Sequence, residues 1–323
     1  MCNETRCSSW ISLHSLGIPT EGCLRNSAWV SSIVLRSSQM GHCYINLPYQ
    51  RLLCMESIAQ GQFGTIDLAV YQVGDKKKEV YVKRPILQEN LLVEACIQKL
   101  VGDSLKTVGF PLGAPPLVSI FALDNGSVCF AMDMIPGAIT LDRFLHGIKP
   151  MNMDAIIIDC LLQLCAMLSH LHYVLGINHR DVKPSNFLIV EHEPRDKNLV
   201  IDGTLITIVS RYSLTMIDFG FACLGTGKKT DIALSTVYPP MDVCLKDGRD
   251  MFLFLGLLYS DIHTKLSPSL CRLFESWIDV MLCAFMRKNK EYSMQWLYFM
   301  AGNESILKFQ SNPSRILRDL QAL

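Results

Sequence analysis

Residues 177–189 read Ile-Asn-His-Arg-Asp-Val-Lys-Pro-Ser-Asn-Phe-Leu-Ile, and this segment is the strongest signal in the chain. An acid, Asp181, is followed by a cation at Lys183 and by an amide at Asn186. Transfer of a phosphoryl group to a hydroxyl needs a group that orients the hydroxyl and accepts its proton, a cation against the phosphate, and oxygen ligands for Mg²⁺. The three side chains suit these roles in that order.

A second acid follows in Asp218-Phe219-Gly220, directly after the apolar stretch Leu214–Ile217. A strand that ends in an aspartate and continues into a flexible glycine can hold a carboxylate at a metal ion. We therefore expect Asn186 and Asp218 to be the metal ligands. The alternative, a chance loop of charged residues on a solvated surface, is disfavoured because two ordered motifs occur in succession.

These two segments resemble the catalytic loop H-R-D-x-K-x-x-N and the D-F-G element of eukaryotic protein kinases. The resemblance implies ATP and Mg²⁺ as cofactors and Asp181 and Lys183 as catalytic residues. A lysine at this distance after the aspartate is the serine/threonine form, which implies Ser/Thr hydroxyls of proteins as acceptors. The Asn-Phe-Leu ending is similar to the casein kinase 1 group, and the compact chain with eroded secondary motifs is similar to protein kinases of large DNA viruses.

Upstream, the stretch from Ala59 to Ile66 resembles the glycine-rich loop that closes over the nucleotide phosphates. The resemblance implies that five residues contact ATP, namely Ala59, Gly61, Phe63, Gly64 and Ile66. Ala59 stands where the family has its first glycine. On its own this loop is weak evidence, since glycines between two strands often have a purely structural role.

Lys83 lies where the family keeps the lysine that binds the α- and β-phosphates, near the end of a predicted strand. The alternative is one more surface lysine after Lys76–Lys78. Glu94 is the predicted ion-pair partner of Lys83 on the following helix, with Glu89 as a competitor.

The stretch Met132–Ile135 resembles the hinge that binds the adenine edge. Met132 is then the gatekeeper, and the backbone groups of Asp133 to Ile135 bind the base. Leu188 and Ile66 are expected to sandwich the adenine. An ordinary core strand predicts the same side chains, so this assignment depends on the motifs on either side.

The fold class predicted is α+β, a bilobal protein kinase fold with a small β-rich N-lobe (about 45–132) and a larger, mainly helical C-lobe (about 136–323). Residues 1–44 are interpreted as an N-terminal extension and residues 191–213 as an inserted hairpin. The patterns that support this are strands at Ile58–Val70, Glu79–Lys83 and Ser127–Met134, a polar turn at Gly74–Lys78, a helix from Val93 that stops at Gly102, a helix at Ile156–Tyr173 closed by Gly176, and a buried helix at Met251–Tyr259.

Three other positions bear on activity. Tyr81 stands where the family almost always has alanine against the adenine, so weaker ATP binding is expected. Ser235 is expected to bond Asp181 and Lys183, in a segment whose A-P-E triplet is altered to Pro-Met-Asp. Asp250 is expected to brace the catalytic loop through its backbone N–H groups.

Lys+Arg and Asp+Glu stand at 30 each in 323 residues, which gives no electrostatic reason to expect nucleic acid or a membrane as partner. The 13 cysteines show no zinc spacing. We expect protein substrates and an intracellular location, in cytoplasm or nucleus (a host cell if the source is viral). A pseudokinase scaffold is the main alternative function, and a small-molecule kinase is a third. The complete set of predicted catalytic residues opposes the pseudokinase, and Lys183 opposes the small-molecule kinase.

Overall fold

The computed structural model describes residues 7–11, 50–61, 64–73, 75–86, 91–123, 127–201, 203–225, 232–233, 245–302 and 309–322. The chain divides into two compact units. The first consists of residues 1–104 and 114–136, and the second of residues 105–113 and 137–323.

The first unit is built on a six-stranded antiparallel sheet in the order β1-β5-β6-β4-β3-β2. Its elements are β1 (Cys7–Ile11), β2 (Gln50–Gln60), β3 (Gly64–Val73), β4 (Lys76–Pro85), α1 (Leu92–Thr107), β5 (Leu117–Leu123) and β6 (Val128–Asp133). The last residues of α1, from Leu105, are assigned to the second unit. β1 comes from the stretch interpreted as an extension, and it pairs with β5 at one edge of the sheet.

Side chains alternate across β4, as expected for a strand with two covered faces. Val80 and Val82 are fully buried on one face, in a cluster with Phe121 and Ala131. The opposite face packs against α1, whose Leu92, Ala95 and Cys96 join Phe130 and Met132 of the sheet in a second cluster. A helix with one apolar stripe therefore covers one face of the sheet.

Three predicted boundaries in this unit are wrong. The strand expected over Ile58–Val70 is two strands, because the chain reverses between Gly61 and Gly64. The turn expected over Gly74–Lys78 is shorter, since Val73 pairs with Lys76 and the lysines belong to β4. α1 continues past Gly102 to Thr107, because apolar residues on its inner side such as Leu105 remain buried after the glycine.

The second unit is mainly helical. Its helices are α2 (Leu141–His146), α3 (Pro150–Ser169), α4 (Arg249–Ile262), α5 (Pro268–Ile278), α6 (Val280–Lys288), α7 (Ser293–Gly302) and α8 (Pro313–Gln321). Its strands are β7 (Ile139–Thr140), β8 (Ile177–Asn178), β9 (Phe187–Ile201), β10 (Thr204–Met216), β11 (Cys223–Leu224) and β12 (Ile232–Ala233). They form two three-stranded sheets, in the orders β10-β9-β7 and β12-β11-β8.

α3 begins with Pro150 in its first turn, where the missing N–H costs nothing. It continues into a π-helical turn, His170–Leu175, and ends at Gly176 with a φ of 66°. A Cβ at Gly176 would lie 2.8 Å from the carbonyl oxygen of Gly225. This confirms the predicted stop and gives its reason, a left-handed and crowded position that only glycine fits.

In the described part of the chain, the stretch from Pro150 to Leu175 is the one helix long and apolar enough to cross a membrane. Length and composition alone are weak evidence for a membrane span. In the structure, 61% of the most apolar window of this stretch is buried. Burial of that extent is expected of a core helix in the helical unit.

The hairpin expected over residues 191–213 is the outer part of a longer one. β9 and β10 pair from Thr204 opposite Ile201 to Met216 opposite Phe187. Gly203 has a φ of 80°, as a tight hairpin turn requires. Since the hairpin begins directly after Asn186 and returns to the chain just before Asp218, its base positions both predicted metal ligands.

A polar clasp joins α4, α5 and α6. The Tyr259 hydroxyl donates to Glu275 Oε1 at 2.7 Å, and Arg287 donates to both residues. The hydrogen bond from Tyr259 and the neighbouring guanidinium lower the pKa of Glu275, although partial burial opposes them.

Six cysteines carry free thiols in the described ranges, five of them buried as small core residues, and Cys223 is disulfide-bonded.

Candidate active site

The Asp181 carboxylate is at the centre of a tight polar cluster. Lys183 Nζ and Asn186 Nδ2 each donate to its Oδ2 at 2.8 Å. The Asn186 amide also donates to the Asp181 backbone oxygen at 2.9 Å. The Asp181 side chain is 3% exposed and that of Lys183 is 33% exposed. The structure thus brings together three of the predicted residues, with the acid buried and the cation near solvent.

Asp250 holds the backbone of this loop from the first turn of α4. Its Oδ2 accepts from the His179 N–H at 2.7 Å, and its Oδ1 accepts from the Arg180 N–H at 2.8 Å. Asn178 Nδ2 lies 3.4 Å from the same carboxylate. The predicted brace is confirmed in its geometry. A buried carboxylate with two backbone donors fixes the direction in which Asp181 leaves the chain.

Asp218 lies two residues after the end of β10, and its neighbours Ile217 and Phe219 connect it to the loop of Asp181. The Ile217 N–H donates to the backbone carbonyl of Asn186 at 3.0 Å, and His179 Nε2 lies 3.1 Å from the backbone carbonyl of Ile217. The buried ring of Phe219 lies 4.9 Å from the His179 ring, centroid to centroid. Asp218 is therefore held on the same framework as Asn186.

Two non-glycine residues in the described ranges have a positive φ, Arg180 at 68° and Asp218 at 63°. A left-handed backbone costs a residue with a Cβ roughly 1–2 kcal/mol. Such strain persists only where surrounding contacts impose it, and it concentrates at functional sites. Both strained residues belong to the two motifs that the sequence singled out.

In the first unit, Lys83 and Glu94 form the predicted ion pair. Lys83 Nζ lies 2.5 Å from Glu94 Oε1, and the two side chains are 12% and 5% exposed. β4 supplies the lysine and α1 supplies the glutamate. The competing residue, Glu89, lies outside the described residues.

The glycine-rich segment forms a tight reversal between β2 and β3. The Gly61 N–H donates to the Gly64 carbonyl at 2.8 Å, and Ala59 pairs with Ile66 across the hairpin. A Cβ at Gly64 would lie 2.9 Å from the Arg84 carbonyl oxygen, so this position requires glycine for a reason separate from phosphate binding. Phe63 lies outside the described residues.

The predicted hinge residues end β6. Met132 is buried and pairs with Tyr81 of β4. The Asp133 N–H donates to the Pro116 carbonyl at 2.9 Å, and the Asp133 carboxylate forms an ion pair with Lys78 at 2.6 Å. Ile135 is 9% exposed.

Tyr81 lies two residues before Lys83, on the same face of β4. Lys83 is largely buried, and Tyr81 is half-buried and packs against the cluster that contains Met132. Ile66 of β3 packs against that cluster as well. Four residues of the predicted nucleotide face thus share one side of the sheet. Leu188 belongs to the second unit, where it pairs with Thr140 and is half-buried.

The donor chemistry of Asn186 and Asp218 fits Mg²⁺, a hard cation that takes one or two carboxylate or amide oxygens together with substrate phosphates. Because the Asn186 amide nitrogen donates to Asp181, its amide oxygen is the end directed away from that carboxylate. No group of three or more His, Cys, Asp or Glu side chains that could hold a metal occurs among the residues the structure describes.

Sequence reasoning missed one residue of this site. The Tyr298 hydroxyl, on α7, donates to Asp181 Oδ1. Tyr298 is 117 residues away along the chain and belongs to no motif, so nothing in the sequence pointed to it. Ser235, the hydroxyl expected at Asp181, lies outside the described residues, as does the altered A-P-E triplet.

No protein-family profile matches the chain. A curated protein from Arabidopsis thaliana, CDPK-related kinase 8, is 29% identical over 164 residues, which is 50% of this chain. The chain spans only 26% of that relative's length. A solved structure, the crystal structure of the BubR1 kinase domain, is 16% identical with a TM-score of 0.41, covering 62% of this chain and 61% of that one.

The chain has an α+β protein kinase-like fold, with an antiparallel sheet unit and a mainly helical unit. The similarity to a plant kinase agrees with the motifs from which the site was built. This similarity does not identify the group of kinases to which the chain is related, nor the residue type that accepts phosphate.

Proposed function

We propose that this protein is a serine/threonine protein kinase that transfers the γ-phosphoryl group of ATP to protein hydroxyls. The observation that carries the proposal is the Asp181 carboxylate, buried, bonded by Lys183 and Asn186, and held by Asp250 through a strained loop. Such an arrangement presents one fixed carboxylate to a hydroxyl. A purely structural loop has no need of it.

In this proposal Asp181 orients the acceptor hydroxyl and takes its proton as the oxygen attacks phosphorus. Lys183 faces the transferring phosphoryl group, and its cation offsets the charge that develops there. Lys83, positioned by Glu94, binds the phosphates that remain on the leaving nucleotide. Asn186 and Asp218 would hold Mg²⁺, which neutralises phosphate oxygens when bound.

The finer part of the proposal concerns the acceptor residue, the group of kinases to which the chain is related, and its cellular location. Lys183 supports Ser/Thr acceptors. The Asn186-Phe187-Leu188 ending supports a casein kinase 1-like affiliation, and the compact chain supports a relation to viral protein kinases. The balanced charge supports protein substrates rather than nucleic acid or membranes. An intracellular location is part of the same proposal.

The first test is incubation of the purified wild type and Lys83→Ala with Mg-ATP and casein or myelin basic protein, followed by phosphoamino-acid analysis. Phosphoserine or phosphothreonine formed by the wild type alone supports the proposal. Absence of transfer, together with no ATP-induced rise in melting temperature, contradicts it.

We predict that Asp181→Asn lowers the transfer rate by about 10³-fold, since a positioned general base contributes about 10²- to 10⁴-fold. The amide is nearly isosteric and keeps hydrogen bonds to Tyr298 and the loop, so nucleotide binding and folding should persist. Steady-state rates and an ATP-dependent thermal shift measure the two effects. Wild-type activity in this variant would refute Asp181 as the base.

A pseudokinase scaffold is the second candidate, and Tyr81 favours it. Its phenol shares the face of β4 that carries Lys83, where a bulky ring competes with adenine. If the wild type fails to bind ATP and Tyr81→Ala restores binding, the scaffold interpretation is the better one.

A further inference from the structure

Asp181 has two carboxylate oxygens, and the structure gives them different partners. Oδ2 accepts from Lys183 and Asn186, both of the catalytic segment. Oδ1 accepts from the hydroxyl of Tyr298, which arrives from a helix far along the chain. Oδ2 is thus occupied by groups that position the carboxylate, and Oδ1 by a phenolic hydroxyl.

That second contact has the chemistry of an acceptor. An acceptor hydroxyl must donate its hydrogen bond to the general base before it attacks phosphorus. The Tyr298 hydroxyl already makes this hydrogen bond to Asp181 Oδ1. A serine or threonine of a protein substrate needs the same oxygen, so the two hydroxyls exclude each other.

Helix α7 holds Tyr298 in place through its inner side. The neighbouring Leu297 and the residue one turn on, Ala301, are fully buried, and Leu297 packs onto the bare backbone of Gly256 in α4. The outer side is open, with Trp296 44% and Phe299 51% exposed. Tyr298 is therefore carried on a packed helix whose other side is open to solvent.

We propose that Tyr298 occupies the acceptor-hydroxyl position on Asp181 and competes with protein substrates for it. This inference rests on the proposed kinase function. A substrate binds only the fraction of molecules in which Tyr298 has left Oδ1, so its apparent affinity is reduced by that fraction. The nucleotide does not use this oxygen, so ATP binding is unaffected.

The test compares Tyr298→Phe with the wild type in steady-state phosphorylation of casein. A hydrogen bond to a charged group contributes enough to change a binding constant about tenfold. We expect the KM for casein to fall about tenfold, with kcat and the KM for ATP unchanged. Tyr298→Ala, which also removes the ring, should lower it at least as far.

Tyr292→Phe is the matched control. It makes the same chemical change on an exposed tyrosine just before α7, and its kinetics should equal those of the wild type. A merely structural Tyr298 would instead lower kcat and the melting temperature together. That result, or a KM for casein equal to that of the wild type, overturns the proposal.

Mass spectrometry of the wild type after incubation with Mg-ATP covers the remaining case. Phosphate on Tyr298 would make the residue an acceptor rather than a competitor. It would overturn the proposal while supporting phosphoryl transfer, to a tyrosine rather than to serine or threonine. If neither wild type nor variant transfers phosphate to casein, the proposed function falls and this inference falls with it.

Discussion

Gly64 and Gly61 occupy the same predicted phosphate loop, but the backbone restricts them differently. A Cβ at Gly64 would lie 2.9 Å from the Arg84 carbonyl oxygen, whereas one at Gly61 would have its nearest neighbour at 3.7 Å. The first distance is a clash with backbone and the second is ordinary contact. A glycine motif can therefore mix a steric requirement with a functional one.

We predict that Gly64→Ala lowers the free energy of unfolding by about 1–3 kcal/mol, the usual cost of overpacking. Gly61→Ala should change it by less than about 0.5 kcal/mol, because its site has room. If the loop binds phosphates, Gly61→Ala should still raise the KM for ATP. Urea unfolding followed by circular dichroism measures stability, and equal stability of the two variants would contradict the steric argument.

Asp250 shows how one residue sets the geometry of another. Its carboxylate accepts hydrogen bonds from the backbone N–H groups of His179 and Arg180, and Arg180 adopts a positive φ. The strain of that conformation is offset by two charge-assisted hydrogen bonds. The direction of Asp181 is thus decided by an aspartate about 70 residues later in the chain.

At the scale of elements, the contact between α4 and α7 depends on Gly256. A Cβ there would lie 2.4 Å from Leu297 Cδ2 and 3.0 Å from its Cδ1. The missing side chain lets the two helices approach closely. The position of α7, which carries Tyr298, depends on this contact. A glycine inside α4 is otherwise unfavourable, so close packing explains its presence.

We predict that Gly256→Ala lowers the free energy of unfolding by about 1–2 kcal/mol, because overpacking outweighs the gain of up to about 1 kcal/mol in helix propensity. Gly102→Ala in α1 is the matched control. Its Cβ would meet Ala114 at 3.6 Å, an ordinary contact, so this variant should gain up to about 1 kcal/mol. Thermal unfolding measures both, and a stabilised Gly256→Ala would show that Leu297 repacks without cost.

The hairpin β9–β10 is attached to α3 by a polar seam around Gln163. Lys197 Nζ donates to Gln163 Oε1 at 2.5 Å and lies 4.5 Å above the centre of the Phe110 ring. Gln163 and the Ser210 hydroxyl in turn donate to Asp159 at 2.7 and 2.9 Å. Burial lowers the pKa of Lys197 to about 8, and the nearby Asp159 carboxylate only partly opposes this.

For the whole molecule, this lysine makes stability depend on alkaline pH. Between its folded pKa of about 8 and its ordinary value of 10.5, the unfolded chain binds a proton that the folded chain has lost. Stability contributed by this group therefore rises with pH across that window. Below pH 8 the partly buried ammonium is charged, and the free-energy cost of burying that charge is fully present.

We predict that the wild type gains stability relative to Lys197→Met when the pH is raised from 7 to 10. Comparing the two proteins removes the effect of other groups that titrate in this range. Lys288→Met, on an exposed lysine of α6, should follow the wild type. Urea midpoints at the two pH values provide the measurement, and parallel curves for wild type and Lys197→Met would contradict the prediction.

The local motifs were readable because their chemistry lies within a few residues. Asp181, Lys183 and Asn186 are close in sequence, so any fold that forms this loop brings them together. The Lys83–Glu94 pair needed only a strand followed by a helix. The ends of elements were less predictable, since α1 passes Gly102 because tertiary burial outweighs the helix cost of one glycine.

The amino-acid sequence by itself indicated the α+β class, the segment around Asp181, Glu94 as the favoured partner of Lys83, and the hairpin that separates the two predicted metal ligands. The tertiary structure alone decided that Gly64 and Gly256 are sterically required, that a buried seam holds Lys197, and that Tyr298 meets Asp181. Each of these depends on contacts between segments distant along the chain. Periodicity and spacing describe neighbours in sequence, whereas close packing selects neighbours in space.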